Sequence, residues 1–234
     1  MPKGKIYLLP MLLAEGSEQF VLAPEVKNQI LSLRCFIVEN LKTARRYLRK
    51  LDPTFDIDGS KFYILNKRTE LRELNSFIQP AKEGTNIGIL SEAGVCCVAD
   101  PGSSVVSLAH ENKLEIMPLV GPSSILLALM GSGFNGQHFE FLGYLKKEKG
   151  EKIKQLKNIE KKANSGCTQI FMETPFRNGQ ILDALFAACR SDSKLCIASN
   201  ITAPNQIIKT KTIGEWKKSS PNLDKIPTIF VLGR

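Results

Sequence analysis

The feature that most limits what this chain can become is a repeated one. Short apolar runs of five or six residues alternate with stretches of helical periodicity: KIYLL (5–9), CFIVE (35–39), KFYIL (61–65), NIGIL (86–90) and LEIMPL (114–119). Runs that are apolar at nearly every position, rather than at every second one, suit strands covered on both faces. The stretches between them read as helices. LKTARRYLRKL follows the second run, residues 69–82 follow the third with Thr69 as a cap, and residues 103–111 follow the fourth. This order predicts a mostly parallel sheet sandwiched by helices.

After Gly121 the pattern changes. SSILLALMGSG (123–133) reads as an apolar helix ending in glycines, and FEFLGYL (139–145) as a strand followed by a lysine-rich helix. TQIFMET (168–174) is a strand, and residues 180–189 form a helix with apolar positions at Ile181, Leu182, Leu185 and Phe186. LCIASNI (195–201), QIIKTKTI (206–213) and PTIFVL (227–232) are strands, and no long helix separates the last two. This half is therefore expected to hold a mixed or antiparallel sheet. The predicted class is α/β, with two α/β domains spanning 1–117 and 118–234 and a boundary near Met117 to Pro122.

Composition narrows the function. With 234 residues, 43% hydrophobic and 24% charged, the chain can build a core without metal or disulfide staples. None of its six cysteines forms a C-x-x-C pair, and His110 and His138 are not spaced with them as zinc ligands, so no metal site is expected. Buried free thiols in a reducing cytoplasm is the economical reading. MPKGKIYLLPMLLA is basic then apolar, but Pro10 and the acidic residues after it break the run. It reads as a first strand rather than a signal peptide, and no run approaches membrane-spanning length. The net charge of +9 is partly local: residues 146–162 hold eight lysines against three glutamates. Such a balance suits nucleic acid, and a solvated helix face explains it equally well.

Three stretches carry chemistry. LSEAGVCCVADPGSSV (90–105) follows the end of a buried run, where open α/β sheets bind ligands. Gly94 permits close backbone approach, Asp100-Pro101-Gly102 forms a turn, and Ser103 or Ser104 is expected to cap the next helix. Backbone groups and two carboxylates gathered there suit ribose hydroxyls and an adenine amino group. No P-loop is present and no G-x-G-x-x-G occurs in this stretch, so it is not read as a phosphate site. VGPSSILLAL (120–129) places Ser123 and Ser124 at a helix start, where they offer polar contacts or serve as an ordinary cap. METPFRN (172–178) puts Glu173 at a strand end and Arg177 just inside a helix, a pair that would also fit a surface salt bridge.

Together these stretches resemble the ribosomal RNA small-subunit 2′-O-ribose methyltransferase I family, part of the tetrapyrrole methylase superfamily. LSEAGVCCVADPG is similar to S-D-A-G-T-P-x-x-S-D-P-G, and VGPSSILLALMGSG to P-G-P-S-A-L-L-A-A-L-S-A-S-G. FEFLGYLKKEKGEK is similar to F-x-F-x-G-F-L-P-x-K-x-x-x-R, IFMETPFRN to F-Y-E-S-P-H-R, and Pro227 to Gly233 to the closing P-x-x-x-V-x-G strand. The resemblance implies a tetrapyrrole-methylase-like fold that binds S-adenosyl-L-methionine in a cleft between two domains, in a cytoplasmic homodimer acting on ribosomal RNA or the small ribosomal subunit. Carried over by position, Pro10, Ser91, Glu92, Ala93, Gly94, Val98 and Asp100 would line the cofactor. Ser123 and Ser124 would add polar contacts, and Glu173 with Ala198 would come from the second domain. The family's A-E-D-T-R becomes VENLK, keeping Glu39 with Asn40 and Lys42 for Asp and Arg. Met11-Leu12 stands for Ile-Gly after Pro10, Glu92 for an Asp, and Asn200 for the acidic residue of A-R-E-L-T-K.

Methyl transfer from a sulfonium is an in-line displacement with a neutral leaving group, so positioning supplies most of the rate. A ribose hydroxyl benefits from a base or a stabilising cation. Glu39 and Lys42 are the candidates for these roles, with Arg177 orienting a phosphate or carboxylate. Two other readings compete: a methylase of the same fold acting on a tetrapyrrole or other small molecule, and a cofactor-binding module without turnover.

Overall fold

Hydrophobic runs long enough for one strand, flanked by helices that can cover both faces, decide the first half of the molecule. A computed structural model describes residues 2–66 and 68–234 and divides the chain into two units, Met1–Pro122 and Ser123–Arg234.

The first unit contains β1 (Lys5–Leu9), α1 (Glu18–Val21), α2 (Pro24–Ser32), β2 (Cys35–Val38), α3 (Leu41–Leu51), β3 (Lys61–Ile64), α4 (Leu71–Lys82), β4 (Ile87–Leu90), α5 (Gly102–Glu111) and β5 (Glu115–Pro118). Its sheet has the order β3-β2-β4-β1-β5 and every pairing is parallel, with Ile6 opposite Ile87 and Ile116. The inner strands β2 and β4 are buried at each position, whereas the edge strands β3 and β5 are exposed at both ends. That difference is the physical content of the uninterrupted apolar runs.

Strand alternation sends successive residues to opposite faces. Cys35, Ile37, Ile87 and Ile89 pack with Leu74 and Ile78 of α4 and Val105 and Ala109 of α5. Phe36, Val38 and Leu90 pack on the other side with Ile30 of α2 and Leu48 of α3.

The second unit contains α6 (Ser124–Ser132), β6 (Phe139–Tyr144), α7 (Lys149–Asn164), β7 (Thr168–Met172), α8 (Asn178–Ala188), β8 (Lys194–Ser199), β9 (Ile207–Thr212), α9 (Ile213–Lys218) and β10 (Thr228–Gly233). The sheet order is β6-β7-β10-β8-β9. β6 pairs with β7 in parallel, and the remaining pairs are antiparallel, so the sheet is mixed as expected. One face meets α7, α8 and α9 through Leu156, Ile159, Ile181, Leu185 and Trp216, with the Phe171 and Phe230 rings stacked 5.7 Å apart. α6 lies on the other face, where a Cβ on Gly131 would come within 2.7 Å of Ile208.

Several local expectations are corrected. Thr69 does not cap α4: its hydroxyl accepts from the Asn66 N–H, and the helix starts after Glu70, whose N–H donates to the Glu73 carboxylate. Neither Ser103 nor Ser104 caps α5. The helix begins one residue earlier at Gly102, whose N–H the Asp100 carboxylate accepts at 2.7 Å. The helices α1, α2 and α9 had no counterpart in the sequence reading. Among the described residues, no helix is long and apolar enough to cross a membrane.

Phe230 is fully buried at the centre of the second sheet. Phe230→Ala is expected to cost about 3–5 kcal/mol in urea unfolding, the usual range for truncating a core phenylalanine. A cost below about 1 kcal/mol would show that this face is not close-packed.

Candidate active site

The order of the first sheet sets β2, β4, β1 and β5 side by side and parallel, so their carboxyl ends share one edge. Glu39 follows β2, Ser91 follows β4, Pro10 follows β1, and the segment 119–122 follows β5. Each sequence-predicted residue of this unit except Val98 and Asp100 lies within a few residues of one of these ends.

Backbone hydrogen bonds hold these loops together. The Met11 N–H donates to the Gly94 carbonyl at 2.8 Å, and the Val95 N–H donates to the Pro122 carbonyl at 3.0 Å. The Glu92 N–H donates to the Glu39 carboxylate at 3.1 Å, across 53 residues of sequence. The buried Tyr47 hydroxyl donates to the Pro10 carbonyl at 2.8 Å. Burial pushes the Tyr47 phenol well above its ordinary range, which keeps it a donor.

Two glycines make this assembly possible. Gly94 has φ +66°, and a Cβ there would stand 2.9 Å from the Pro122 carbonyl oxygen and 3.0 Å from Leu13. A Cβ on Gly121 would fall 2.0 Å from the Pro10 ring. The segment after Gly94 is tightly bent, with Cys97 at φ 66° and Ala99 at φ 64°. Non-glycine residues in this region carry strain and often mark binding loops. Asp100 spends one carboxylate oxygen on the Gly102 N–H. The Cys96 and Cys97 sulfurs lie 3.8 Å apart, and Cys97 together with burial pushes the Cys96 thiol strongly up, away from any nucleophilic role.

Glu92, Ala93 and Val98 are exposed, and Ser91 is nearly buried with its hydroxyl 3.3 Å from the Ala93 carbonyl. Beside Glu92 and Ala93 opens a pocket of about 240 Å³ walled by residues 11–15 and by Thr43, Arg46, Tyr47 and Lys50 of α3. Lys50 Nζ lies 2.6 Å from the Glu18 carboxylate, which it holds below the usual carboxylate range. Lys42 sits exposed in the first turn of α3. That helix is capped by Asn40, whose side-chain oxygen accepts from the Lys42 and Thr43 N–H groups.

In the second unit β7 and β8 both run antiparallel to β10, so their carboxyl ends also share an edge. Glu173 lies beyond β7. The Thr174 N–H donates to its Oε1 at 2.8 Å, and Arg177 pairs with the same oxygen. This is no surface salt bridge: the Glu173 side chain is fully buried, and its Oε2 has no hydrogen-bond partner. Buried carboxylate oxygens are seldom left unpaired, so this one is an exception within the fold. Arg177 also donates to the Thr174 hydroxyl.

Ala198 is fully buried on the face of β8 that α6 covers. Ser123 caps α6, its hydroxyl accepting weakly from the Leu126 N–H at 3.4 Å, and Ser124 is the first helical residue. The turn after β8 escaped the sequence reading. Thr202 holds φ 72°, unusual for a β-branched residue, and its buried hydroxyl has no partner. Among the described residues, no three metal-ligating side chains cluster.

No protein-family model matches the chain. It is similar in sequence to proteins named ribosomal RNA small subunit methyltransferase I. The Bacillus subtilis protein is 32% identical over 172 residues, covering 73% of this chain and 56% of that one. The Haemophilus influenzae protein is 27% identical over 174 residues, 73% and 60% of the two chains. The chain thus spans less than two thirds of the length of these relatives. Among solved structures, the methyltransferase CobJ matches with a TM-score of 0.65 at 17% identity, covering 99% of this chain and 94% of that one. A uroporphyrin-III C-methyl transferase from Thermus thermophilus, complexed with S-adenyl homocysteine, matches with a TM-score of 0.60 at 14% identity, covering 99% and 98%. The two-sheet α/β architecture is shared with these solved structures, and the resemblance read from the motifs stands.

Gly94→Ala tests the loop assembly. An alanine forced to φ +66° against the Pro122 carbonyl is expected to cost about 1–3 kcal/mol in denaturant unfolding. A neutral result would mean that the loop can move without loss.

Proposed function

We propose that the chain is an S-adenosyl-L-methionine-dependent methyltransferase that methylates a ribose 2′-hydroxyl of small-subunit ribosomal RNA, as a cytoplasmic homodimer. The observation that carries the reading is the Glu39–Glu92 hydrogen bond, which ties a carboxylate at the end of β2 to the backbone of the S-E-A-G loop at the end of β4. The similarity to methyltransferase relatives and the net charge of +9 support the substrate class. The unpaired cysteines support a reducing compartment.

The residues fit such a cofactor. Residues 91–94 with Pro10, Val98 and Asp100 would hold it from the first unit, offering backbone groups and carboxylate acceptors to ribose and adenine. Within the second unit, the Glu173 Oε2 has no hydroxyl or amino donor of its own. Bound there, S-adenosylmethionine supplies an electrophilic methyl group whose departure leaves a neutral thioether. Glu39 takes the proton from the ribose hydroxyl as the carbon–oxygen bond forms. Lys42 stabilises the developing negative charge, and Arg177, still paired to Glu173, orients an anionic group of the substrate.

Glu39→Gln keeps an oxygen that can accept from the Glu92 N–H but removes the base. Methyl transfer to ribosomal RNA is expected to fall about 100-fold or more. Cofactor affinity by isothermal titration should stay within about threefold, since no charge–cofactor contact is removed. Glu39→Ala, which also releases the loop, should weaken both. Full activity in Glu39→Gln would remove Glu39 from the mechanism. Label entering a porphyrinoid and not RNA would transfer the reading to a small-molecule substrate.

A further inference from the structure

The second unit has a pocket that shares no residue with the candidate active site. It occupies about 300 Å³ between α7 and α8. Lys149, Lys152 and Ile153 face it from the first two turns of α7, with Gln180, Asp183, Ala184 and Ala187 from α8 and Lys147 from the preceding loop. The spacings i, i+3, i+4 on one helix and i, i+3, i+4, i+7 on the other make this a groove between two helix faces.

Lys152 is the unusual member. It is only 4% exposed, yet it lines the groove, and no hydrogen bond or ion pair engages its ammonium group among the described residues. Buried lysines are rare unless paired. Its neighbours do not neutralise it: three lysines line the groove against the one carboxylate of Asp183. The helix N-terminus is not the attraction either, because the Glu148 carboxylate already accepts from the Gly150 and Glu151 N–H groups. Ile153, Ala184 and Ala187 add apolar lining to the groove.

We infer that this groove binds one unpaired nucleotide of a single-stranded RNA, with the phosphate on Lys152, Lys149 and Lys147. The base would cover Ile153, Ala184 and Ala187, and its amino edge would donate to Asp183 or Gln180. Cations for the phosphate, an apolar bed for the ring and acceptors for an exocyclic amine are the three needs of such a nucleotide. A diffuse basic helix face would provide only the first. The inference rests on the reading of the chain as an RNA methyltransferase only in naming RNA as the source of the nucleotide. It adds a second point of grip on the substrate.

The test is fluorescence anisotropy with a labelled unstructured decacytidylate at about 100 mM salt, without S-adenosylmethionine. Loss of methyl transfer and loss of this site are thereby read separately. Lys152→Met is expected to weaken binding at least fivefold and to lower the slope of log affinity against log salt by about 0.7, one phosphate contact to a single strand. Lys161→Met makes the same charge change on α7 outside the groove and should stay within twofold of wild type. Equal losses in the two variants would overturn the inference. Should Lys152→Met melt early, Lys147→Ala/Lys149→Ala is compared with Lys157→Ala/Lys161→Ala, and equal losses there overturn it as well. Displacement of the oligonucleotide by millimolar cytidine monophosphate, in wild type but not in Lys152→Met, would support the groove while naming a free nucleotide as ligand. Displacement by inorganic phosphate alone would overturn the nucleotide assignment.

Discussion

The carbonyl of Gly94 and the N–H of Val95, consecutive groups on one loop, bond to two other loops at once: Met11 after β1 and Pro122 after β5. Without a side chain at Gly94 the loop can sit against the Pro122 carbonyl, and without one at Gly121 the β5 loop can sit against Pro10. Each bond is worth only about 1 kcal/mol net. Their importance lies in what they exclude. Three loops that would otherwise move independently are fixed as one edge, and a site at the ends of parallel strands needs its loops fixed before a ligand arrives.

That edge also explains how acidic groups survive where a cofactor would lie. Glu39 accepts from a backbone N–H of the S-E-A-G loop, and Asp100 accepts from Gly102, so both carboxylates have a fixed orientation. Glu173 is the contrasting case. One of its oxygens is satisfied twice, by Thr174 and Arg177, and the other is buried without a partner. A carboxylate so placed costs the fold free energy unless a ligand donates to it.

The strands were legible because burial on both faces leaves an uninterrupted apolar run, as in β2 and β4. The helix α2 was not, because Ile30 is its one buried residue and no apolar stripe marks it. The motif loops were legible as tight bends at strand ends, since glycine and Asp-Pro-Gly after a buried run mark a turn. Which groups meet was not. Glu39 and Glu92 are far apart in sequence, and only the β2–β4 pairing joins them. The burial of Glu173 and Ala198 likewise follows from the β7-β10-β8 order, which local pattern does not encode.

The departures from the family motif have a common logic once the backbone is seen. Asn40 stands for an aspartate, yet its side-chain oxygen caps α3 as an aspartate's would. Asn200 stands for an acidic residue at φ 49°, a region in which asparagine is among the least strained residues. At both positions the local geometry is served while a negative charge is removed. Lys42 for Arg keeps charge but gives up the planar fork that grips a phosphate bidentately. With Asn40, the first turn of α3 keeps its cap and carries one negative charge fewer near Glu39 than an aspartate would bring. A chain drifting away from function would be expected to lose the caps and strained turns along with the charges. Here both asparagines serve the backbone: Asn40 caps α3, and Asn200 holds a positive φ.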